Sequence, residues 1–262
     1  MANQGIQKRA FTAVAYHRFW ECLDLLFPSR CAGCNELGYR WCSQCDEDIK
    51  PIQGAICFRC GEPLADLPST GSCHCASFLS NIDQVRSYAK YEAPLSTAIH
   101  KLKYRRDIGI AESLAKYLVK LYNSIDVEAD MIVPVPLNKK RYQERGYNQA
   151  LLLARPFSYE IDHPMRPNAL IRKQNTRSQV GLNRFERSAN VQDAFIADKK
   201  FVKDKVILLI DDVSTTGSTM DACAKALKKE GAKYIVGLTL ARAFKTKNGY
   251  SDLISIEEFT QT

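Results

Sequence analysis

Eight of the ten cysteines lie between Cys31 and Cys75 and form four pairs with the spacing of metal ligands. Three pairs have the form Cys-x2-Cys, and the fourth has a single residue, His74, between its cysteines. The pairs are Cys31 with Cys34, Cys42 with Cys45, Cys57 with Cys60, and Cys73 with Cys75. Because two such pairs supply the four thiolates of a closed tetrahedral zinc site, the four pairs predict two structural zinc sites.

The spacing leaves open how the pairs combine. A sequential arrangement keeps each loop short, and we favour it over an interleaved one in which early and late pairs would share a metal. His74 is an alternative ligand in the last pair, and iron–sulfur ligation is the minor alternative to zinc. We expect the metal to substitute for a hydrophobic core that is too small to fold alone.

A second segment able to do chemistry follows the apolar run 206–210. Two carboxylates, Asp211 and Asp212, precede a stretch of small hydroxylic residues with one glycine. That stretch contains Ser214, Thr215, Thr216, Gly217, Ser218 and Thr219. Backbone N–H groups at the start of a helix bind anions, and a glycine allows close approach to the backbone. Carboxylates would repel a phosphate unless they bind sugar hydroxyls or act with a divalent cation, so the segment predicts a sugar-phosphate site.

The basic residues are concentrated near this segment. The 262-residue chain has a net charge of +8, with 37 basic and 29 acidic side chains. Residues 1–80 are nearly neutral, whereas residues 139–187 hold 11 basic and 4 acidic side chains. The candidate nucleic-acid contacts are Lys101, Lys103, Lys139, Lys140, Arg141 and Arg145, and interleaved aromatics that suit base stacking are Tyr104, Tyr142, Tyr147 and Phe157. The alternative is that these charges form a solvated face and that Tyr147 and Phe157 belong to the core.

The pattern around these segments predicts an α/β fold. Apolar runs predict strands at 84–91, 130–135, 206–211 and 234–240, and helical periodicity predicts helices at 95–122, 147–157 and 217–230, besides an N-terminal one at 10–26. Continuous apolar strands that alternate with helices are typical of a mostly parallel sheet covered on both faces. We expect a domain boundary near 77–83, with residues 1–80 forming the N-terminal helix and zinc module and residues 81–262 forming the sheet domain.

Several classes of protein are excluded by composition. No stretch approaches the roughly 18 apolar residues of a membrane-spanning helix, and charges interrupt residues 10–27, so they do not resemble a signal peptide. We therefore expect a cytoplasmic protein, because clustered thiols in a reducing compartment bind metal more often than they form disulfides. Cys22 and Cys223 are interpreted as small buried apolar residues, and His100 as a surface or core residue.

The segment 206–219 resembles the phosphoribosyl-pyrophosphate (PRPP) loop of type I phosphoribosyltransferases: four apolar residues, two acidic residues, then Thr-Thr-Gly-x-Thr. The resemblance implies that Asp211 and Asp212 bind the ribose hydroxyls, that residues 214–219 hold the 5′-phosphate, and that Mg²⁺ accompanies PRPP. It also implies that Val135 and Pro136 belong to the pyrophosphate loop. Residues 172–190 are similar to the lid that closes over the substrate in this family, with candidates Arg172, Thr176, Gln179 and Arg187. The catalytic candidates are Asp211, Asp212, Arg172 and Arg187.

The order of motifs along residues 20–245 resembles the ComF family of competence proteins, in which a double zinc ribbon precedes a phosphoribosyltransferase domain. The motifs are Phe27-Pro28, the cysteine pairs, Ile99–Tyr104, Pro134–Leu137, Arg145–Ala150, Arg172–Leu182, Arg187–Val191, the PRPP loop and Ala241-Arg242. The resemblance implies a role in DNA uptake during natural transformation. It also implies contact with single-stranded DNA, the competence helicase and the inner-membrane uptake machinery, which would place the protein in the cytoplasm or peripherally at that membrane.

Three functional classes remain open from the sequence. The protein is a phosphoribosyltransferase acting on an unidentified small acceptor, a PRPP-responsive regulator without turnover, or a factor that handles single-stranded DNA. We favour a PRPP-binding domain that serves DNA uptake. The chain has no recognisable hood motif for a purine, pyrimidine or orotate base, so the acceptor is not predicted.

Overall fold

The structure is a computed structural model that describes residues 29–64, 73–173 and 194–244. The predicted helix at 10–26, Cys22 and the lid candidates Thr176, Gln179 and Arg187 lie outside these ranges. Within them, the strands are β1 (Gln84–Lys90), β2 (Met131–Pro134), β3 (Leu170–Arg172), β4 (Phe195–Ala197), β5 (Val206–Ser214) and β6 (Tyr234–Arg242). The α-helices are α1 (Ser43–Glu47), α2 (Leu95–Tyr104), α3 (Ile110–Asn123), α4 (Lys139–Arg145), α5 (Gln149–Glu160), α6 (Lys199–Val202) and α7 (Ser218–Lys229).

Four strands form a parallel sheet in the order β1-β6-β5-β2. The α/β class and all four predicted strands are therefore confirmed. β5 continues through Asp211 and Asp212 to Ser214, so the acidic pair lies on the last part of a strand. β3 and β4 form a separate antiparallel pair, and they flank residues 174–193.

The helix predicted at 95–122 is wrong as a single element. α2 ends at Tyr104 and α3 begins at Ile110. Between them, Arg106 has a positive φ of 55°, a left-handed conformation that cannot continue a right-handed helix. The break matters for the site because it ends α2 directly after Lys103.

Alternate residues of the central strands enter two separate cores, as the period of a strand requires. On one face, Leu208 and Ile210 pack with residues of α2, α3 and α5. On the other face, Ile207 and Leu209 pack with residues of α7 and the β3–β4 pair. The sheet is thus covered on both faces, which explains the continuous apolar runs of its strands.

The cysteine-rich segment contributes to both cores. Ala32 and Ile49 join the core that contains α2 and α3, whereas Cys60, Cys75 and Leu79 join the core that contains α7. The boundary near residues 77–83 stays a prediction about folding units, since the described residues on its two sides share buried surface. In the ranges that the structure describes, no helix is both long and apolar enough to cross a membrane.

Candidate functional site

The acidic pair lies at the carboxyl end of the sheet, beside the end of β2. Pro134 of β2 is opposite Ile210 of β5, and the Val135 N–H donates to the Ile210 carbonyl at 2.9 Å. Parallel strands bring their carboxyl ends to one edge, where ligands of open α/β sheets bind. The candidates for the PRPP loop and for the pyrophosphate loop therefore lie at neighbouring strand ends.

Asp211 and Asp212 lie in different surroundings although they are adjacent in the chain. Burial, together with the neighbouring Asp212 carboxylate, raises the pKa of Asp211 well above its ordinary value. Asp212 instead has a cation: its Oδ2 is 2.9 Å from Nζ of Lys103, at the end of α2. The pair combines one carboxyl group that is hard to ionise with one that has an opposite charge at contact distance.

The loop that follows β5 has the geometry of an anion cradle. Gly217 has a φ of +81° and caps α7 without a side-chain hydrogen bond. A Cβ at this position would lie 3.2 Å from Leu79 Cδ2, so both conformation and space favour glycine. The Thr216 and Ser218 hydroxyls are 2.6 Å apart. At the start of the loop, Ser214 Oγ is buried and has no hydrogen-bond partner among the described residues, which leaves it available to a ligand oxygen.

A buried carboxylate fixes the first turn of α7 to the chain that leaves the cysteine clusters. Asp221 accepts hydrogen bonds from the Asn81 N–H at 2.8 Å, the Asn81 side-chain amide at 2.8 Å and the Ile82 N–H at 3.0 Å. Three donors on one carboxylate make a strong, directional clamp. Residues 79–82 therefore support the loop that would bind phosphate: Leu79 packs against Gly217, and Asn81 and Ile82 donate hydrogen bonds to Asp221.

The pyrophosphate-loop candidates are held by the start of α5. The Asn148 side chain donates to the Val135 carbonyl at 2.9 Å and accepts from the Ala150 N–H at 3.0 Å as the N-cap of α5. Pro136 is half-buried and lies three residues before α4, which begins at Lys139. This arrangement connects the Arg145–Ala150 motif to the loop through one amide side chain.

Arg172 is the described member of the predicted lid. It ends β3, and its guanidinium carbon lies 5.3 Å from the centre of the Phe195 ring on β4. Its buried Nε has no hydrogen-bond partner among the described residues. Arg187, the other basic catalytic candidate, lies outside those residues, so its role stays a prediction.

The cysteines form two clusters, and the sequential pairing is the one the structure shows. The first cluster contains Cys31, Cys34, Cys42 and Cys45, and the second contains Cys57, Cys60, Cys73 and Cys75. Contacts between sulfur atoms range from 3.3 Å for Cys60–Cys73 to 3.7 Å for Cys57–Cys75. A tetrahedral zinc with Zn–S bonds of about 2.3 Å requires sulfurs roughly 3.8 Å apart, so both clusters fit such an ion with little adjustment.

The six basic candidates divide into two groups. Lys101 donates to the Cys31 carbonyl at 3.2 Å, and Lys103 pairs with Asp212. Arg145 is only 7% exposed, donates to Gln149 Oε1 at 2.9 Å and lies 4.9 Å from the Tyr104 ring centre. Lys103 and Arg145 are largely buried and their charges are used within the fold, whereas Lys101 is half-exposed. The exposed group is Lys139, Lys140 and Arg141.

The aromatic candidates divide in the same way. Phe157 is completely buried and Tyr147 is half-buried, donating to the Leu102 carbonyl, as the core alternative predicts. Tyr142 is 52% exposed and Tyr104 is 36% exposed.

Cys223 is fully buried, which confirms its interpretation as a small apolar residue.

Sequence reasoning missed the supporting roles of Lys103, Asp221 and Asn148. An acidic residue in the first turn of a helix and an asparagine before a helix are recognisable capping signals, so the last two were within reach. The contact between Lys103 and Asp212 had no such signal, because it joins segments that are distant in the chain.

Comparison with known proteins agrees with this architecture. Residues 22–76 match the double zinc ribbon domain, and residues 147–253 match the phosphoribosyl transferase domain. "Competence protein F" of Haemophilus influenzae is 31% identical over 222 residues, which cover 77% of this chain and 96% of that protein. "DNA utilization protein YhgH" of Escherichia coli K12 is 31% identical over 209 residues, covering 77% of this chain and 89% of that protein. "Competence protein ComFC" of Bacillus subtilis is 29% identical over 232 residues, covering 86% and 89%.

The fold and the site together define a double zinc ribbon joined to a phosphoribosyltransferase domain. Within that class, the chain belongs to the ComF family of competence proteins. The family resemblance seen in the order of sequence motifs is therefore confirmed.

Proposed function

We propose that the sheet domain binds PRPP with Mg²⁺ and that the protein uses this site in DNA uptake during natural transformation. The observation that carries the proposal is the acidic pair Asp211 and Asp212 at the entry to a loop with the unpartnered Ser214 hydroxyl and the left-handed Gly217. A sugar phosphate matches both parts, since its hydroxyls donate to carboxylates and its phosphate accepts from loop N–H groups.

Magnesium fits the donors of this site. Mg²⁺ prefers oxygen ligands, keeps several waters and binds through one or two carboxylates together with substrate phosphates. Asp211 and Asp212 are the residues that would hold it, directly or through the ribose hydroxyls, and when bound it would neutralise charge on the pyrophosphate. The protein itself would orient the ribose with the acidic pair, the 5′-phosphate with residues 214–219 and the pyrophosphate with the loop at Val135 and Pro136.

The names of the relatives support the cellular part of the proposal. Two of them are competence proteins, and others are DNA utilization proteins. One name refers to competence and the other to the use of DNA, and we assign this chain to DNA uptake during competence, with the competence helicase and the inner-membrane uptake machinery as its partners.

A basic surface next to the sugar-phosphate site is our candidate for single-stranded DNA. We define it as Lys139, Lys140 and Arg141 of α4 with Arg105 and Arg106 after α2, all exposed. The stacking of Arg145 on Tyr104 joins these two segments, and the exposed rings of Tyr104 and Tyr142 lie among the cations. Cations that follow a backbone and aromatic rings that stack on bases are the usual components of single-strand binding.

The central test is calorimetric titration of the protein with PRPP in the presence of Mg²⁺. The wild type should bind, and the double variant Asp211→Asn/Asp212→Asn should show no heat of binding while retaining its circular dichroism spectrum. Unchanged affinity in that variant would remove the PRPP proposal.

The same preparation distinguishes the remaining classes. Release of pyrophosphate from PRPP, measured with and without single-stranded DNA, would identify a phosphoribosyltransferase with an acceptor in the mixture. Binding of PRPP without release, across candidate acceptors, is the result expected of a PRPP-responsive regulator.

A further inference from the structure

Lys103 occupies an unusual position for a lysine. Its ammonium group is 2.9 Å from Asp212 Oδ2, and the two side chains are only 17% and 5% exposed. Burial alone would lower the pKa of Lys103, but the Asp212 carboxylate outweighs burial, so the pKa is raised and the amine remains charged. Lys103 is therefore a largely buried, charged lysine in contact with one carboxylate of the proposed PRPP site, and not a solvated surface lysine.

The end of α2 is held in place by contacts on several sides. Lys101 donates to the carbonyl of Cys31 in the first cluster at 3.2 Å, the Tyr147 hydroxyl donates to the Leu102 carbonyl, and Arg145 stacks on Tyr104. Residues two apart on a helix face different directions, so Lys101 reaches the cysteine cluster while Lys103 reaches the acidic pair. The position of the Lys103 amine is therefore determined by the fold.

The charges at the acidic pair explain why a cation is needed there. Two adjacent carboxylates at a buried edge repel each other, and the pKa of Asp211 is raised by burial and by Asp212. Lys103 offsets one of these negative charges. An ammonium group has three N–H donors, so a single contact with Asp212 does not use all of them.

We propose that Lys103 is a positioning residue of the sugar-phosphate site, where its contact holds the Asp212 side chain in place as an acceptor for a ribose hydroxyl before any divalent cation binds. This inference rests on the proposed function, because it takes the ligand of the acidic pair to be a ribose. It has a specific consequence: ribose 5-phosphate, which has the ribose and 5′-phosphate but no pyrophosphate, binds without magnesium.

The test is titration with ribose 5-phosphate, and with PRPP plus Mg²⁺, at neutral pH for the wild type, Lys103→Met, Lys103→Gln and Lys103→Arg. Buffers for ribose 5-phosphate contain no added magnesium and no chelator, so that the cysteine clusters keep their metal. The matched control is Lys116→Met, which removes the lysine of another Lys–Asp pair, with Asp46 at 2.8 Å, far along the chain from the acidic pair. Thermal unfolding of each variant establishes that it is folded.

We expect Lys103→Met and Lys103→Gln to weaken ribose 5-phosphate binding by roughly tenfold or more. Lys103→Arg should restore most of the affinity, and Lys116→Met should match the wild type. Normal binding of ribose 5-phosphate in whichever of Lys103→Met and Lys103→Gln folds would overturn the inference but leave the PRPP proposal intact. If the wild type binds neither ligand, the proposed function itself fails.

Discussion

The Asp221 carboxylate binds Asn81 twice, once through its backbone N–H and once through its side-chain amide. Asp221 lies in the first turn of the helix that follows the phosphate loop, and Asn81 lies in the segment that leaves the second cysteine cluster. This contact, with the packing of Leu79 under Gly217, makes the cysteine-rich segment part of the support of the proposed PRPP site.

Removal of this carboxylate should therefore destabilise the protein and weaken the site. We expect Asp221→Ala to lower the free energy of unfolding by about 3 kcal/mol, because three donors lose a buried acceptor, and to reduce PRPP affinity. Asp221→Asn keeps the shape of the side chain but replaces one acceptor oxygen by an NH₂ group that faces the Asn81 amide. Its loss of stability should therefore be smaller than that of Asp221→Ala. Chemical denaturation measures the stability of both variants, and Asp126→Ala, at an exposed aspartate, is the control. Equal stability of Asp221→Ala and the control would contradict the proposed role of the Asp221 hydrogen bonds.

The two adjacent aspartates should respond oppositely to neutralisation. The pKa of Asp211 is raised by burial and by Asp212, so the folded state binds this proton more tightly than the unfolded state does. Stability from Asp211 is then greatest at low pH and is lost as the pH rises from its unfolded pKa towards its raised folded pKa. Asp211→Asn should increase the free energy of unfolding at neutral pH and remove this decline.

Asp212→Asn should destabilise the protein by about 3 kcal/mol, since it leaves the buried Lys103 without its counter-ion. Both variants are measured by urea denaturation across pH 4 to 8. If Asp211→Asn destabilised the protein at pH 7 as much as Asp212→Asn does, burial would not be opposing the charge of Asp211. Both substitutions should still weaken PRPP binding, which would make Asp211 a residue that serves the ligand at a cost in stability.

The sequential clusters predict how metal content should respond to substitution. Freshly purified, reduced protein should contain close to two zinc ions per chain, as measured by mass spectrometry of the metal. The double variant Cys34→Ser/Cys42→Ser removes both ligands from one cluster and should retain about one zinc, because the second cluster is untouched. Loss of both ions in this variant would instead indicate interleaved pairing.

The basic surface predicts the salt dependence of DNA binding. Charge reversal at Lys139, Lys140 and Arg141 should weaken retention of a labelled single-stranded oligonucleotide and make its dependence on salt less steep by up to about 2 in the logarithmic slope, given roughly 0.7 per phosphate contact. Anisotropy titrations over a range of salt concentrations measure this, with Lys199→Glu/Lys200→Glu, at two exposed lysines of α6, as the control. An equal effect of the control would assign binding to net charge and not to this surface.

The sequence by itself determined the features whose chemistry depends on neighbours in the chain. Cys-x2-Cys pairs predict metal ligands because one turn presents both thiolates to one ion, and the run from Val206 to Thr219 predicts an anion site because a strand, a loop and a helix start follow one another. The parallel sheet was predictable because strands buried on both faces need uninterrupted apolar runs.

Only the tertiary structure decided which distant residues meet. It selected sequential pairing of the cysteines, divided a predicted single helix at Arg106, and turned Lys103 and Arg145 from candidate DNA contacts into internal ones. The physical reason is that the burial of a charge depends on partners from other elements: Lys103 is buried because Asp212, more than a hundred residues later in the chain, is there to balance it.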